Sequence, residues 1–446
     1  MLIIGGSDAG ISAALRIREL DPQAEVMVVA KDAYPNFSIC GLPFYLSGEV
    51  TDWRKLAHRT AKEITEQGIR LLLEHTALAI DPEARQVKVQ SAAGDVRRIG
   101  YDKLLIATGA ESIKPPIEGL DAPGVFFLRW MADSFAIQRF MDQNKPRCAI
   151  IIGGGYIGME MADALTRRQI AVTLVEFAPE VLTTLAPELG ALIRAELESA
   201  GVRVITEKAV QRISRNENEL RVHTDSGETE AADMVLVAAG ARPAADLAQT
   251  AGIGTGAGDA ILVDRTMATP AADIWAAGDC AQTWHRLLEH HVYLPLGTTA
   301  HKQGRVAGEN MAGGKCEFQG SLGTQAVQVF DRVAARTGLN DRESAEAGFD
   351  PLTVPLVTPD HKAYYPGAEQ LHIRITGDRS SGRLLGAQMV GHHTSEVSKR
   401  IDILVAALYH KMQVRELCDL DLSYTPPLSS PWDPVQAAAM AWCESR

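Results

Sequence analysis

Two stretches of the chain, about 148 residues apart, share one order of apolar and polar positions. Each has a short apolar run, a glycine turn, a stretch with helical periodicity and a second apolar run. The apolar runs are 2–4 and 25–30 around the helical stretch 11–20, and 148–152 and 171–176 around the helical stretch 159–168. This order predicts two βαβ units of parallel, doubly wound sheets.

Other apolar runs also end at glycine turns. They are 103–107 before Thr108-Gly109, 234–238 before Gly240, and 274–277 before Gly278-Asp279. From about residue 318 the pattern changes to alternating runs at 325–330 and 370–375, followed by an amphipathic stretch at 395–412. The chain is therefore predicted to be an α/β protein with two doubly wound dinucleotide-binding domains and a C-terminal α+β domain.

Composition restricts the partners. The chain has 446 residues and a net charge of −12, and it has no run of Lys or Arg that would neutralise a phosphate backbone. Nucleic acid and anionic membranes are thus not expected as main partners. No apolar stretch approaches the roughly 20 residues of a membrane span, and the N-terminus lacks a cationic leader. Six scattered cysteines without CxxC spacing indicate a reducing, cytoplasmic location.

The two glycine turns have the chemistry of phosphate-binding loops. Gly5, Ser7 and Gly10 occupy the fingerprint positions of the first turn, where the middle glycine is replaced by Ser. The second turn keeps all three glycines, Gly153, Gly155 and Gly158. Such turns let a helix N-terminus present unpaired N–H groups to a pyrophosphate. Two fingerprints, each between a strand and a helix, are a strong signal.

Together these landmarks resemble the flavoprotein disulfide reductases with two dinucleotide-binding domains, which are glutathione-reductase-like. More narrowly, the sequence resembles their single-cysteine branch of coenzyme A disulfide reductases, NADH oxidases and NADH peroxidases. The resemblance covers essentially the whole chain. It rests on the two glycine turns and on the motifs Cys40-Gly41-Leu42-Pro43, Ala107-Thr108-Gly109, Ala276-Ala277-Gly278-Asp279 and Asp421 to Pro427.

This resemblance implies three domains. Residues 1–112 and 242–317 would form a discontinuous FAD-binding domain, 113–241 an NAD(P)H-binding domain, and 318–446 a dimerisation domain. The implied FAD-binding residues are Gly5, Ser7, Gly10, Thr108, Gly109, Gly278, Asp279 and Thr298. The family acid that holds the adenosine ribose is replaced by Ala30, and Asp32 is the nearest substitute. Arg16 and Arg18, on the first helix, could meet phosphates of a ligand.

The implied NAD(P)H-binding residues are Gly153, Gly155, Gly158, Glu160, Glu176 and Gly240. Glu176 ends the strand after the second turn, where an acid reads the ribose 2′-OH. Its carboxylate would repel a 2′-phosphate, so NADH is expected rather than NADPH. Arg167 and Arg168 on the preceding helix could still favour NADPH. Glu160 resembles the family glutamate that lies beside the nicotinamide and flavin.

Cys40 is the expected redox centre. It precedes an apolar, helix-like run with Pro43 in its first turn, and a helix N-terminus lowers the pKa of a thiol. Two-cysteine relatives have a CxxxxC pair, but position 45 is Tyr here. Cys40 must therefore react with an external sulfur or pass through a sulfenic acid.

Two positions depart from the subfamily patterns. Ile39 replaces the Asn that precedes the cysteine in coenzyme A disulfide reductases, and Asp8 replaces the His of the peroxidases. An ionised Asp8 would oppose thiolate formation at Cys40, whereas a protonated Asp8 would act as a proton donor.

Tyr365 and Tyr424 resemble the tyrosines that coenzyme A disulfide reductases bring across a dimer interface as proton donors; interface packing is the alternative role. Five histidines, at positions 285, 290, 291, 392 and 393, have no ligand set at known spacing, so no metal is expected.

The sequence thus predicts a homodimeric, FAD-dependent NAD(P)H oxidoreductase that reduces a small disulfide or persulfide, with coenzyme A disulfide as the leading candidate. One alternative is an NADH oxidase or peroxidase that uses a cysteine sulfenic acid. Another is a flavin-based redox sensor or electron-transfer partner.

Overall fold

The first apolar run forms the central strand of a parallel sheet. The computed structural model describes residues 1–216 and 219–446. All three side chains of strand Leu2–Ile4 are buried, as expected for a strand covered on both faces. The sheet has five parallel strands in the order Ile274–Ala276, Leu104–Ile106, Leu2–Ile4, Val26–Val29 and Ile69–Leu72.

The apolar run 148–152 forms the central strand of a second five-stranded parallel sheet. Along the chain, all of its strands lie between the first and the last strand of the first sheet. Its order is Arg203–Ile205, Ala171–Val175, Cys148–Ile152, Met234–Val237 and Val125–Phe127. The two predicted βαβ units are therefore confirmed.

The C-terminal part contains an antiparallel sheet, which confirms the change of pattern after residue 318. Its order is Gln325–Val329, Arg332–Gly338, Leu384–His392, Gln370–Asp378 and Pro351–Pro359. Smaller antiparallel sheets are formed by His75–Asp81, Gln86–Ser91 and Val96–Gly100; by Val210–Asn216, Glu219–Thr224 and Thr229–Ala232; by Ala110–Ser112 and Ala241–Pro243; and by Thr283–His285 and His290–Val292.

Helices cover the sheets and complete the buried apolar cores. The α-helices are Asp8–Leu20, Leu42–Ser47, Ala61–Glu66, Met131–Asn144, Tyr156–Arg167, Pro187–Ser199, Asp246–Thr250, Gly297–Met311, Asp341–Glu346, Val397–Tyr409, Val414–Cys418 and Pro434–Ser445. Short 3₁₀ helices are Ile39–Gly41, Trp53–Leu56, Ala257–Asp259 and His393–Ser395. Among the described residues, none of these helices is long and apolar enough to cross a bilayer.

Glycines allow backbone segments to touch at the first turn. Gly5 has a φ of +118°, and a Cβ atom there would lie 2.0 Å from the carbonyl oxygen of Ala107. A Cβ at Gly10 would lie 2.0 Å from the carbonyl oxygen of Gly5. Only a residue without a side chain fits either position. The second turn repeats the geometry at Gly153 and Gly158.

Helix Gly297–Met311 packs against helix Asp8–Leu20 with the same closeness. A Cβ at Gly304 would lie 2.2 Å from the carbonyl oxygen of Ala9. This contact holds the N-termini of both helices at one edge of the first sheet.

Substituting Gly304 by Ala should destabilise this helix pair by about 1–3 kcal/mol, because neither backbone can yield without repacking the core. Gly155→Ala is the matched control, since no heavy atom lies within 4 Å of its Cβ position and its φ is negative. Scanning calorimetry should show a lower transition temperature for Gly304→Ala alone. Equal transition temperatures would contradict the close packing.

Candidate active site

Cys40 lies where the 3₁₀ turn Ile39–Gly41 leads into helix Leu42–Ser47, and Pro43 lies in the first turn of that helix as predicted. A cluster of aromatic side chains packs against this segment. The ring of Trp53 lies 5.5 Å from that of Tyr34 and 5.2 Å from that of Phe135. Because Phe135 belongs to helix Met131–Asn144, the cluster anchors the cysteine segment to the neighbouring part of the chain.

Glu160 is brought to the same place by the second glycine turn. Helix Tyr156–Arg167 packs against helix Leu42–Ser47, and Glu160 lines a crevice with Pro43 and Phe44. Burial raises the pKa of Glu160 to about 7. An acid with this pKa can hold or release a proton at neutral pH.

The expectation that the pKa of Cys40 is lowered proves wrong. The residue is accessible to solvent, but the surrounding walls desolvate its sulfur and raise its pKa. The carboxylates of Glu160 and Asp8 raise that pKa further, and Arg129 opposes them. The helix that follows Cys40 has only six residues, so its dipole does not outweigh burial next to two acids.

Asp8 is the first residue of helix Asp8–Leu20 and lies close enough to Cys40 to oppose its ionisation. Burial raises the pKa of Asp8 as well, while His301 and His58 oppose that change. The Oδ1 atom of Asp8 lies 3.4 Å from Nε2 of His301. Neither histidine was recognised from the sequence, because each lies far from the cysteine along the chain.

Arg129 was also missed. Its guanidinium donates a hydrogen bond to Asp279 at 2.6 Å and to the carbonyl oxygen of Ala110. Asp279 directly follows Gly278, whose N–H donates a hydrogen bond to Oε1 of Gln303 at 2.8 Å. Arg129 is thus a positive charge that pairs with Asp279 and acts on Cys40, and the motifs around either residue give no means of predicting it.

The other residues expected to bind FAD lie at the N-termini of helices or just after a strand of the first sheet. Ser7 is the N-cap residue of helix Asp8–Leu20 with a hydroxyl that makes no capping bond. Gly109 has a positive φ, and Thr108 donates a hydrogen bond to the carbonyl oxygen of Ala244. Thr298 is exposed in the first turn of helix Gly297–Met311.

Asp32 lies beyond the second strand of the sheet. Its Oδ1 accepts a hydrogen bond from the N–H of Tyr34 at 3.0 Å, and burial raises its pKa. Ala30 is buried against Gly6 and has no group that could hold a ribose.

Around the second turn, Gly155 is the N-cap residue of helix Tyr156–Arg167 and has open space at its Cβ position. Glu176 accepts hydrogen bonds from the N–H groups of Gly154 at 2.5 Å and Ala178 at 2.7 Å. Gly240, at the end of the adjacent strand, has a φ of +101°. These hydrogen bonds fix the side chain of Glu176 against the second glycine turn.

Four arginines considered as phosphate ligands are engaged elsewhere. Arg16 pairs with Glu19 and Glu309, and Arg18 donates to the carbonyl oxygens of Gln67 and Ala24. Arg167 pairs with Asp163, and Arg168 donates to the carbonyl oxygen of Leu46. The last two end the helix whose N-terminus carries the glycine turn. Their distance from that turn removes the argument that they favour NADPH.

Tyr365 and Tyr424 lie on two segments that the fold ties together. Both side chains are exposed. The guanidinium of buried Arg400 donates to the carbonyl oxygens of Asp360 at 2.7 Å and Leu428 at 3.1 Å. These two bonds join the segment that contains Tyr365 to the segment that contains Tyr424.

Five histidines, at positions 285, 290, 291, 392 and 393, were not expected to bind a metal. Of these, His285 is buried, and its Nδ1 accepts hydrogen bonds from the N–H groups of Leu287 and Leu288. His392 and His393 come together with Asp331.

Comparison with known proteins gives two family matches. Residues 1–304 match the family described as pyridine nucleotide-disulphide oxidoreductase, and residues 324–434 match its dimerisation domain. The chain is 33% identical over 441 residues to an NAD(P)H sulfur oxidoreductase (CoA-dependent) of Pyrococcus abyssi, which covers 98% of this chain and 97% of the relative.

Two further relatives carry different names. An NADH oxidase of Methanocaldococcus jannaschii is 32% identical, over 98% of this chain and 97% of its own. A coenzyme A disulfide reductase of Staphylococcus haemolyticus is 30% identical with the same coverage. The solved structure of an NAD-dependent persulfide reductase from A. fulgidus superimposes with a TM-score of 0.95 at 37% identity, covering 100% of this chain and 83% of that one.

Replacing Glu160 by Gln should lower the pKa of Cys40, because a carboxylate charge is lost without a change of shape. In the unsubstituted protein this charge exists only above the Glu160 pKa of about 7. The variant should therefore react several-fold faster with iodoacetamide above about pH 7, and both proteins should react alike about two pH units lower.

Mass spectrometry of the alkylated Cys40 peptide measures these rates. The control is Glu49→Gln. Glu49 lines the same crevice as Glu160 but is not among the charged groups that shift the pKa of Cys40. Equal rates for Glu160→Gln and the unsubstituted protein across the pH range would contradict this electrostatic coupling.

Proposed function

We propose that this chain, which belongs to the pyridine nucleotide-disulphide oxidoreductase family, reduces a small disulfide or persulfide with electrons from NAD(P)H. Coenzyme A disulfide and coenzyme A persulfide are the leading substrates. The observation that carries the proposal is an accessible Cys40 on which the charges of Glu160, Asp8 and the Arg129–Asp279 pair act together. The names of the relatives support the substrate class.

FAD and NAD(P)H are the cofactors. The first turn fits the FAD pyrophosphate because Gly5 and Gly10 leave no side chain between backbone and helix N-terminus. The residues that would hold FAD are Gly5, Ser7, Gly10, Asp32, Thr108, Gly109, Gly278, Asp279 and Thr298. Those that would hold NAD(P)H are Gly153, Gly155, Gly158, Glu160, Glu176 and Gly240. FAD, when bound, supplies the transfer of two electrons from the nicotinamide to sulfur.

The sulfur chemistry belongs to Cys40. Its thiolate attacks one sulfur of the disulfide, so that the S–S bond breaks, a mixed disulfide forms and a thiolate leaves. Two electrons from NADH then cleave the mixed disulfide and restore Cys40. The balance is one disulfide, one NADH and one proton giving two thiols and NAD⁺. Since its surroundings keep Cys40 protonated at rest, a neighbouring base must accept its proton, and Glu160 has the matching pKa.

A phenol would protonate the leaving thiolate. We assign this role to Tyr424 of the partner subunit, assisted by Tyr365 of the partner subunit, in a homodimer formed through the C-terminal domain. The exposure of both phenols on segments tied together by Arg400 supports this arrangement, as does the matched dimerisation domain. A neutral phenol that donates its proton takes over the negative charge of the thiolate as a phenolate, so the net charge of the site does not change.

Cys40→Ser should reduce turnover of coenzyme A disulfide and persulfide by at least about a hundred-fold, because the oxygen of serine cannot form the mixed disulfide. NADH should still bleach the bound flavin, since that step does not need the sulfur. Steady-state NADH consumption and stopped-flow absorbance at the flavin band measure the two steps. Cys316→Ser is the control, because Cys316 lies among the core residues of the first sheet. Unchanged disulfide turnover in Cys40→Ser would refute the proposal.

The relative named NADH oxidase supports a second candidate, in which Cys40 forms a sulfenic acid. It predicts rapid NADH consumption with oxygen or peroxide alone, lost in Cys40→Ser. Rapid consumption only when a disulfide or persulfide is added excludes this candidate.

NADH should be preferred to NADPH by about ten-fold or more in kcat/KM, because the Glu176 carboxylate opposes a 2′-phosphate and Arg167 and Arg168 are engaged elsewhere. Glu176→Gln should narrow the ratio by improving the use of NADPH. The measurement is initial rates with each nucleotide at saturating disulfide. A preference for NADPH in the unsubstituted protein would show that another basic group reads the phosphate.

A further inference from the structure

Three side chains from distant segments converge around Asp8, one of the charged residues that act on Cys40. Asp8 begins the first nucleotide helix, His58 follows the 3₁₀ turn Trp53–Leu56, and His301 lies in helix Gly297–Met311. Their possible ligand atoms, one from each residue, all lie within 4.8 Å of one another. Two imidazoles and one carboxylate are a donor set that transition metals accept.

Backbone contacts hold the three segments in place. The N–H of Asn36 donates to the carbonyl oxygen of Gly6 at 2.7 Å, and the N–H of His58 donates to that of Asn36 at 2.9 Å. His58 is thereby fixed over the first glycine turn. His301 belongs to the helix whose Gly304 touches the backbone of helix Asp8–Leu20. The three donors are therefore held by packed backbone and not by side-chain contacts alone.

The ring of His301 is oriented as well. Nδ1 of His301 is hydrogen-bonded to Oγ of Ser12 at 3.0 Å, which leaves Nε2 as its free ligand atom. A partner on the second ring nitrogen is the usual way that proteins orient a metal-binding histidine. Nε2 lies 3.4 Å from Oδ1 of Asp8. Two ligands on a tetrahedral zinc ion, at bonds of 2.0–2.1 Å, lie about 3.3 Å apart.

We propose that Asp8, His58 and His301 bind a divalent transition metal ion, Zn²⁺ in the first place, in a site with at least one open coordination position. The bound ion would lie beside Asp8, which acts on Cys40. It would inhibit disulfide reduction reversibly, because it occupies the approach to the sulfur. The proposal concerns metal binding and does not rest on the proposed substrate.

A second group of similar composition is less prepared to bind a metal. Asp331, His392 and His393 also have ligand atoms within 4.8 Å of one another. However, His392 and His393 are adjacent residues whose rings lie against each other, 4.2 Å apart at 39°. The side chain of Asp331 is 71% exposed. His392 therefore provides a matched control within the same chain.

Titration calorimetry with ZnCl₂ tests the site, using FAD-loaded, chelator-treated protein with Cys40→Ser as background so that the thiol contributes no ligand. We expect one Zn²⁺ per chain with a Kd below about 10 μM. His301→Ala and, separately, His58→Ala should each weaken binding at least about ten-fold. His392→Ala should leave the Kd unchanged. Flavin absorbance and circular dichroism establish that each variant is folded, and either of the two ligand variants suffices for the comparison.

In the protein with Cys40 intact, Zn²⁺ should slow NADH-dependent disulfide reduction, and His301→Ala should shift the inhibiting concentration upward by the same factor as the Kd. Absence of saturable binding up to about 1 mM would overturn the proposal. The proposal would also be wrong if His392→Ala weakened Zn²⁺ binding as much as His301→Ala does. It would equally be wrong if neither His301→Ala nor His58→Ala weakened binding.

Discussion

Direct contact between backbone segments is the constraint on which the rest of the molecule depends. At Gly5, Gly10 and Gly304 the neighbouring carbonyl oxygens lie where a side chain would begin. These contacts bring the N-termini of helices Asp8–Leu20 and Gly297–Met311 to one edge of the first sheet. The exposed N–H groups of two helices thus face the same space, which suits an anionic dinucleotide. The same arrangement recurs at Gly153 and Gly158 in the second sheet.

The charged surroundings of Cys40 exist only because the two units meet. The cysteine segment follows strand Val26–Val29 of the first sheet, whereas Glu160 follows the second glycine turn and Arg129 follows strand Val125–Phe127 of the second sheet. Packing of helix Leu42–Ser47 against helix Tyr156–Arg167 brings Glu160 to the cysteine segment, while Asp8 acts on the thiol from helix Asp8–Leu20. Burial and negative charge then act in the same direction on the sulfur, and one arginine opposes them. A thiol in these surroundings is protonated at rest, so a base must assist its reaction.

Much of the fold could be predicted because it is determined locally. Apolar runs that end at glycine turns specified the strands Leu2–Ile4 and Cys148–Ile152 and the helices that follow them. Electrostatics could not be predicted in the same way. The pKa of Cys40 was expected to fall because helix position can be seen in the sequence, whereas the desolvating walls and Glu160 cannot. Arg129, His58 and His301 were missed for the same reason.

The sequence by itself determined the periodicity of each element, the two glycine turns, and the presence of one cysteine before a proline-containing helix. These features depend on neighbouring residues, whose spacing along the chain is also their spacing in space. Tertiary structure alone decided which charges face Cys40, which arginines are already paired, and which histidines meet Asp8. Such contacts join residues up to 293 positions apart, and their energies depend on distance and burial, which only the packed chain defines.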